Sequence, residues 1–284
     1  MAELKYKFTR DTVFKLLFAT RKDLLKRLIA ELLNIEYVSI KKFIIKNPEI
    51  TAEELGKKFC RLDISMQVND QIVGIEIQVE DQSNFPERSL FYWAKEFSKG
   101  IEEGDNYTLL PRTIFISILG FNQFSDLKKF HSEFRCLEVT THEQLTDKQV
   151  LHFFELKKLP PLDRSDSARD LWLKLFSAKT EEDLAEIEAL GVPVMSKAVK
   201  AYRKVTSSSR LLEIERMMSK ARHDEAQAKW SIERNRDMHW QGIVDVKDAE
   251  ISEKDAEISE KDAEISEKDA EIAELQEQVR KLTL

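Results

Sequence analysis

Two cysteines, seven glycines and six prolines are few for 284 residues, and each scarcity narrows what the chain can be. Cys60 and Cys136 lie far apart with no C-x-x-C spacing, which argues against a disulfide framework or a zinc site and for buried thiols. So little glycine and proline excludes collagen-like, elastic or loop-dominated chains. No apolar run approaches the roughly 18 residues of a membrane span, and the opening M-A-E-L-K-Y-K has no apolar signal core. A cytoplasmic location away from membranes is the expectation. What is abundant is charge, at 34% of residues, beside 42% hydrophobic ones. That balance suits a folded domain with helical appendages.

The net charge of −7 is unevenly spread. Residues 241 to 284 hold 14 Asp/Glu and 6 Lys/Arg, so residues 1 to 240 are close to neutral. Within that body, residues 1 to 28 carry 8 basic and 3 acidic side chains, and residues 195 to 222 carry 8 and 2. Such clusters serve either as solvated helix faces or as phosphate-neutralising patches.

Arg61 to Glu80 is the most informative stretch. Leu62, Ile64, Met66 and Val68 alternate with Asp63, Ser65 and Gln67, and Val73, Ile75, Ile77 and Val79 with Gly74, Glu76, Gln78 and Glu80. A period of two on both sides of Asn69-Asp70 predicts a hairpin, and a two-residue loop there pairs positions summing to 139. Asp63 is then expected opposite Glu76, with Gln78 on the same face. Opposed carboxylates repel. They are either the wet face of a hairpin or the two ligands of a shared divalent cation such as Mg²⁺.

Around the hairpin, Thr20 and Asp23 read as the start of a helix carrying Leu24, Leu25, Leu28, Ile29, Leu32 and Leu33 at helical spacing. Val38 to Ile45 reads as a first strand ended by Asn47-Pro48. Pro86 opens a helix with two stripes. Leu90, Trp93, Ala94, Phe97 and Ile101 are expected in the core, while Arg88, Tyr92, Lys95 and Lys99 form an exterior suited to a nucleic-acid backbone. Thr113 to Leu119 is apolar enough for a strand covered on both faces, reached by a parallel crossover. Asp126 to Phe134 looks helical, and Leu151 to Leu156 looks like a strand in which His152 is structural. The sum is an α/β fold with an αβββαβ core. Pro160-Pro161 marks a boundary, followed by helices through about Trp240, with a stop at Gly191.

From Lys247 the chain repeats K-D-A-E-I-S-E three times and then K-D-A-E-I-A-E. Val244, Ile251, Ile258, Ile265, Ile272 and Val279 fall at one heptad position, with Lys247, Lys254, Lys261 and Lys268 where a second apolar residue belongs. Weak self-association into a homo-oligomer, or a lone helix braced by Glu250-Lys254 and its equivalents, fits this pattern.

Asp, then a dozen residues, then Glu-x-Gln on adjacent strands resembles the PD-(D/E)XK nuclease signature. D-T-V-F-K-L-L-F at 11 to 18, G-K-K-F-C-R-L-D-I at 56 to 64, G-I-E-I-Q-V-E at 74 to 80, R-S-L-F-Y-W-A-K at 88 to 95 and L-H-F-F-E-L-K-K-L at 151 to 159 follow the order of one branch. That branch is the PD-(D/E)XK family transposases, also called recombination-promoting nucleases. The resemblance covers about residues 5 to 160 and, weakly, the helices beyond, with Leu62 where the signature has Pro and Gln78 where it has Lys.

It implies a restriction-endonuclease-like core with a mixed sheet and a metal-dependent DNA endonuclease. Asp63, Glu76 and Gln78 would be catalytic, with Asp63, Glu76 and the Ile77 carbonyl holding Mg²⁺ or Mn²⁺. Lys15, Lys57, Arg88 and Tyr92 would meet DNA. Glutamates on the first helix sometimes join the metal shell, so Glu31 is a further candidate, although a surface role is the plainer reading. The expected organisation is a nuclease-like domain at 1–160, a helical region at 161–240 and a heptad-repeat helix at 241–284. A catalytically silent DNA-binding relative and an assembly protein acting through its tail are the alternatives.

Overall fold

The computed structural model describes residues 3–46, 64–81 and 84–282, leaving aside the side chains of residues 222, 281 and 282. Its sheet comprises β1 (Phe43–Ile45), β2 (Ile64–Val68), β3 (Gln71–Gln78), β4 (Thr113–Leu119), β5 (His131–Phe134) and β6 (Gln149–Glu155), in the order β1-β2-β3-β4-β6-β5. The first three strands are antiparallel neighbours, β3, β4 and β6 run parallel, and β5 is antiparallel to β6. Helices α1 (Asp11–Thr20) and α2 (Lys22–Leu32) precede the sheet, and α3 (Phe85–Ser98) joins β3 to β4. Then come α4 (Ala168–Ser177), α5 (Glu181–Ala189), α6 (Pro193–Thr206) and α7 (Ser209–Leu282).

The hairpin has the expected register, with Ile64 opposite Ile75 and Val68 opposite Gln71. Its two-residue turn needs one left-handed residue, and Asn69 supplies it at φ 52°. The Asn69 side chain also accepts hydrogen bonds from the Lys41 and Lys42 amides at 2.8 and 3.1 Å and donates to the Ser39 carbonyl. That clamp accounts for a first strand shorter than the sequence suggests. Tyr37–Ser39 forms a 3-10 turn, and only Phe43–Ile45 pairs with β2.

Both sheet faces are covered. One carries Met66, Val73, Ile75, Ile116, Ile118 and Phe154 in a single core with residues of α1, α2 and α4 to α6. Helices α4 to α6 thus build the same core as the strands, and Phe8 joins it edge-to-face with Phe176 and stacked on Tyr202. Helices α4 and α5 each start with a reciprocal capping box, Ser167 with Asp170 and Thr180 with Asp183. Strand β4 is buried at all seven positions, as its apolar run requires.

The second face belongs to α3. Phe85 and Tyr92 pack with Phe115, Leu119, Leu151 and Phe153, and Tyr92 stacks on Phe115. The expected stripes hold only in part: Trp93 packs against this core and Lys95 and Lys99 are exposed as expected, but Tyr92 is buried. Leu90 and Phe91 are half exposed, whereas Ser89 and Glu96 are buried. The burial is tolerable because the polar groups are satisfied: Ser89 donates to the Phe85 carbonyl, and Glu96 accepts from Ser65 at 2.7 Å and Lys99 at 2.6 Å.

Three more expectations are corrected. Thr20 does not cap α2, because its hydroxyl donates back to the Leu16 and Leu17 carbonyls and closes α1. Residues 126–134 are not helical, since His131–Phe134 pairs with β6. Cys136 is an exposed free thiol rather than a buried one, and Cys60 lies outside the described residues.

By contact density the chain divides at residue 219 into units of residues 1–219 and 220–284. At the start of α7, Glu215 accepts from Thr12 at 2.7 Å and Arg10 Nε at 2.8 Å, fixing that turn to α1. The 220–284 unit is helical through residue 282, and Ile251, Ile258 and Ile265 each expose 56% of their surface.

Candidate active site

Residues 76 and 78 of β3 point to the same side because a strand alternates. In register, Glu76 pairs with Ser117 and Gln78 with Leu119 of β4. Glu76 is only 5% exposed, so its carboxylate has left water for the interior of the sheet face. Arg88, one turn into α3, reaches back to it. Its Nη2 donates to Glu76 Oε1 at 2.7 Å and to Gln78 Oε1 at 2.8 Å, and its guanidinium lies 4.8 Å from the centre of the Phe85 ring. The Gln78 amide nitrogen donates to the Glu80 carbonyl at 2.9 Å, which fixes its oxygen toward Arg88.

The two oxygens of Glu76 therefore differ. Oε1 is held by Arg88, and Oε2 is buried with no hydrogen-bond partner among the described residues. Burial pushes the Glu76 carboxyl up to about 7. The Arg88 charge, its hydrogen bond and Lys15 pull the other way without cancelling the desolvation, and the Asp11 charge adds to the rise. Asp11 and Lys15 are one turn apart on α1 and paired at 3.0 Å.

Of the expected site residues, the structure brings Glu76, Gln78 and Arg88 together and sets Lys15 within electrostatic reach. Asp63 and Lys57 lie outside the described residues. Arg88 does not stand on an exterior stripe but inside the site, with its side chain 18% exposed. Tyr92 gives its ring to the core at 5% exposure, which removes it from an exterior DNA-facing stripe. The Ile77 side chain belongs to the opposite core. Glu31 pairs with Arg27 at 3.8 Å beside Tyr37. Asp11, not Glu31, is the helix carboxylate that Glu76 senses, and its one available signal was the i,i+4 spacing to Lys15.

Among the described residues, no three His, Cys, Asp or Glu side chains gather at metal-binding separations. A bare, buried carboxylate oxygen nonetheless fits a hard cation, because an acceptor without a donor is costly to bury.

A mixed sheet in which an antiparallel hairpin feeds a parallel crossover, with a Glu-x-Gln on its central strand whose Glu is buried, defines a PD-(D/E)XK nuclease-like protein. The family model described as PD-(D/E)XK nuclease family transposase matches residues 8–231, most of the chain, and the chain belongs to that family. No curated protein and no solved structure matches it.

Proposed function

We propose that the protein is a metal-dependent DNA endonuclease that hydrolyses phosphodiester bonds. The observation that carries this reading is Glu76, buried with one oxygen held by Arg88 and the other bare, beside Gln78. In this reading Glu76, Asp63 and the Ile77 carbonyl hold Mg²⁺ or Mn²⁺. When bound, such a cation polarises the scissile phosphate and lowers the pKa of a coordinated water.

The remaining work falls to side chains. Gln78 orients the attacking water by hydrogen bonds, but an amide neither takes a proton nor supplies charge. Positive charge toward the phosphates comes from Lys15, Lys57 and Arg88. Cleavage is accordingly slow and strictly metal dependent.

Nicking of supercoiled plasmid with and without Mg²⁺ or Mn²⁺ tests the reading, using the parent, Asp63→Ala, Glu76→Ala and Gln78→Ala with folding checked by circular dichroism. Loss of a carboxylate is expected to slow cutting by roughly 10²–10³-fold, as for removal of one electrostatic partner of a transition state. The Gln78 loss should be smaller. Folded Asp63→Ala protein cutting at the parent rate defeats the site assignment. A parent that binds DNA but never cuts it is the silent relative.

The exposed heptad isoleucines support a second property, weak homo-oligomerisation through residues 241–284. The lysines of the repeat and the acidic excess keep that affinity low.

A further inference from the structure

Gln78 stands at the position where the class signature has a lysine, so β3 itself brings no positive charge to the reacting phosphate. The fold delivers one from a different element. Arg88 projects from α3, and its Nη2 spends both hydrogens on the two β3 side chains, Glu76 Oε1 at 2.7 Å and Gln78 Oε1 at 2.8 Å. The guanidinium lies against the face of Phe85 at 4.8 Å, a contact that holds a cation without fixing its hydrogen-bond partners.

We propose that Arg88 replaces the absent lysine by exchanging partners, holding Glu76 in the metal-free protein and passing to the scissile phosphate when a divalent cation takes Glu76. This rests on the endonuclease reading. Two features argue for an exchange rather than a fixed ion pair. A divalent cation on Glu76 would stand within a few ångströms of the guanidinium, and like charges that close in a site shielded from water repel strongly. An incoming phosphate offers paired oxygens that the planar guanidinium binds bidentately, and no proton needs to move. Three methylenes lie between the Arg88 backbone and its charged head, so the change of partner needs side-chain rotation alone. Gln78 can follow, because an amide oxygen that loses Arg88 is free to accept from the attacking water.

The proposal makes metal binding and catalysis respond in opposite directions to the same substitution. The full chain, its Arg88→Ala and Arg88→Gln variants and Arg88→Lys are titrated with Mn²⁺ by calorimetry and assayed for plasmid cleavage under single-turnover conditions. With the competing cation gone, Arg88→Ala and Arg88→Gln should bind Mn²⁺ at least roughly tenfold more tightly, a change between those of a charge pair in bulk water and of one near a protein surface. They should also cut roughly 10²–10³-fold more slowly. Arg88→Lys should fall between them and the parent in both. Arg88→Gln retains most of the stem, which guards against a folding failure of the alanine variant.

A merely structural arginine would weaken metal binding and cleavage together, and that result in both variants overturns the exchange. So does cleavage at the parent rate by either. A parent that binds no Mn²⁺ and cuts with no divalent metal overturns the endonuclease reading and the exchange with it. A parent that binds Mn²⁺ and cuts DNA in its presence keeps that reading whatever the Arg88 variants show.

Discussion

Glu76→Gln should make the metal-free protein more stable at alkaline pH while abolishing its metal response. The folded carboxyl titrates at about 7 instead of 4.5. Between those values the folded protein holds a proton that the unfolded chain has lost, so stability falls as pH rises through this window. By about pH 8 the cost of the ionised carboxylate is about 3 kcal/mol. Gln has the shape of the protonated acid and removes that cost, and its oxygen still accepts from Arg88. Its amide hydrogens would enter the place where Oε2 now has no partner, at about 1 kcal/mol. The net expectation is a gain of about 2 kcal/mol near pH 8 and a loss of about 1 kcal/mol below about pH 4.5. Urea unfolding at several pH values with chelator present measures both, and adding Mn²⁺ should then stabilise the parent but not the variant. A difference that is constant with pH, or a variant weaker than the parent near pH 8, refutes the claim that burial dominates this carboxylate.

Two other outcomes are expected. His152 has its folded pKa pushed down to about 4, mainly by burial and also by the His131, Arg135 and Arg112 charges, against the pull of Glu133. Stability should therefore be lost as pH falls from about 6.5 to about 4, by up to about 3 kcal/mol, and His152→Gln should flatten that limb in urea titrations. A truncation ending before Gln241 should sediment as a smaller species than the full chain at high concentration, and identical states for the two would remove the tail from assembly.

Much of the sheet could be read from the chain because period two and continuous apolar runs report burial directly. The hairpin register and the fully covered β4 both came out this way. Helix α3 resisted that reading for a definite reason. Hydrophobic stripes assume that polar residues face water, yet Ser89 and Glu96 are buried with hydrogen-bond partners, one of them Ser65 on β2, while Leu90 and Phe91 are half exposed. The same error put Tyr92 beside Arg88 on an exterior stripe. At the site, Glu76 and Gln78 were legible because alternation puts them on one face. The engagement of Arg88 was not, since it depends on how α3 crosses β3. Nor was the hydrogen bond between His131 and His152 at 3.0 Å, because β5 lay hidden in a segment with helical composition.

The verbatim heptads of the last helix have a geometric consequence. At about 1.5 Å per residue, helical residues 220–282 of the second unit span about 95 Å, and each K-D-A-E-I-S-E unit contributes about 10 Å of it. Seven residues are two turns to within about 20°, so inserting or deleting one unit returns the isoleucines to almost the same face. Since a unit is also a whole number of codons, slippage during copying of the gene would change the span between the helix ends in steps of about 10 Å. Span and face are thereby uncoupled, and the helix can be lengthened or shortened between generations with its surface chemistry and the nuclease fold left as they were.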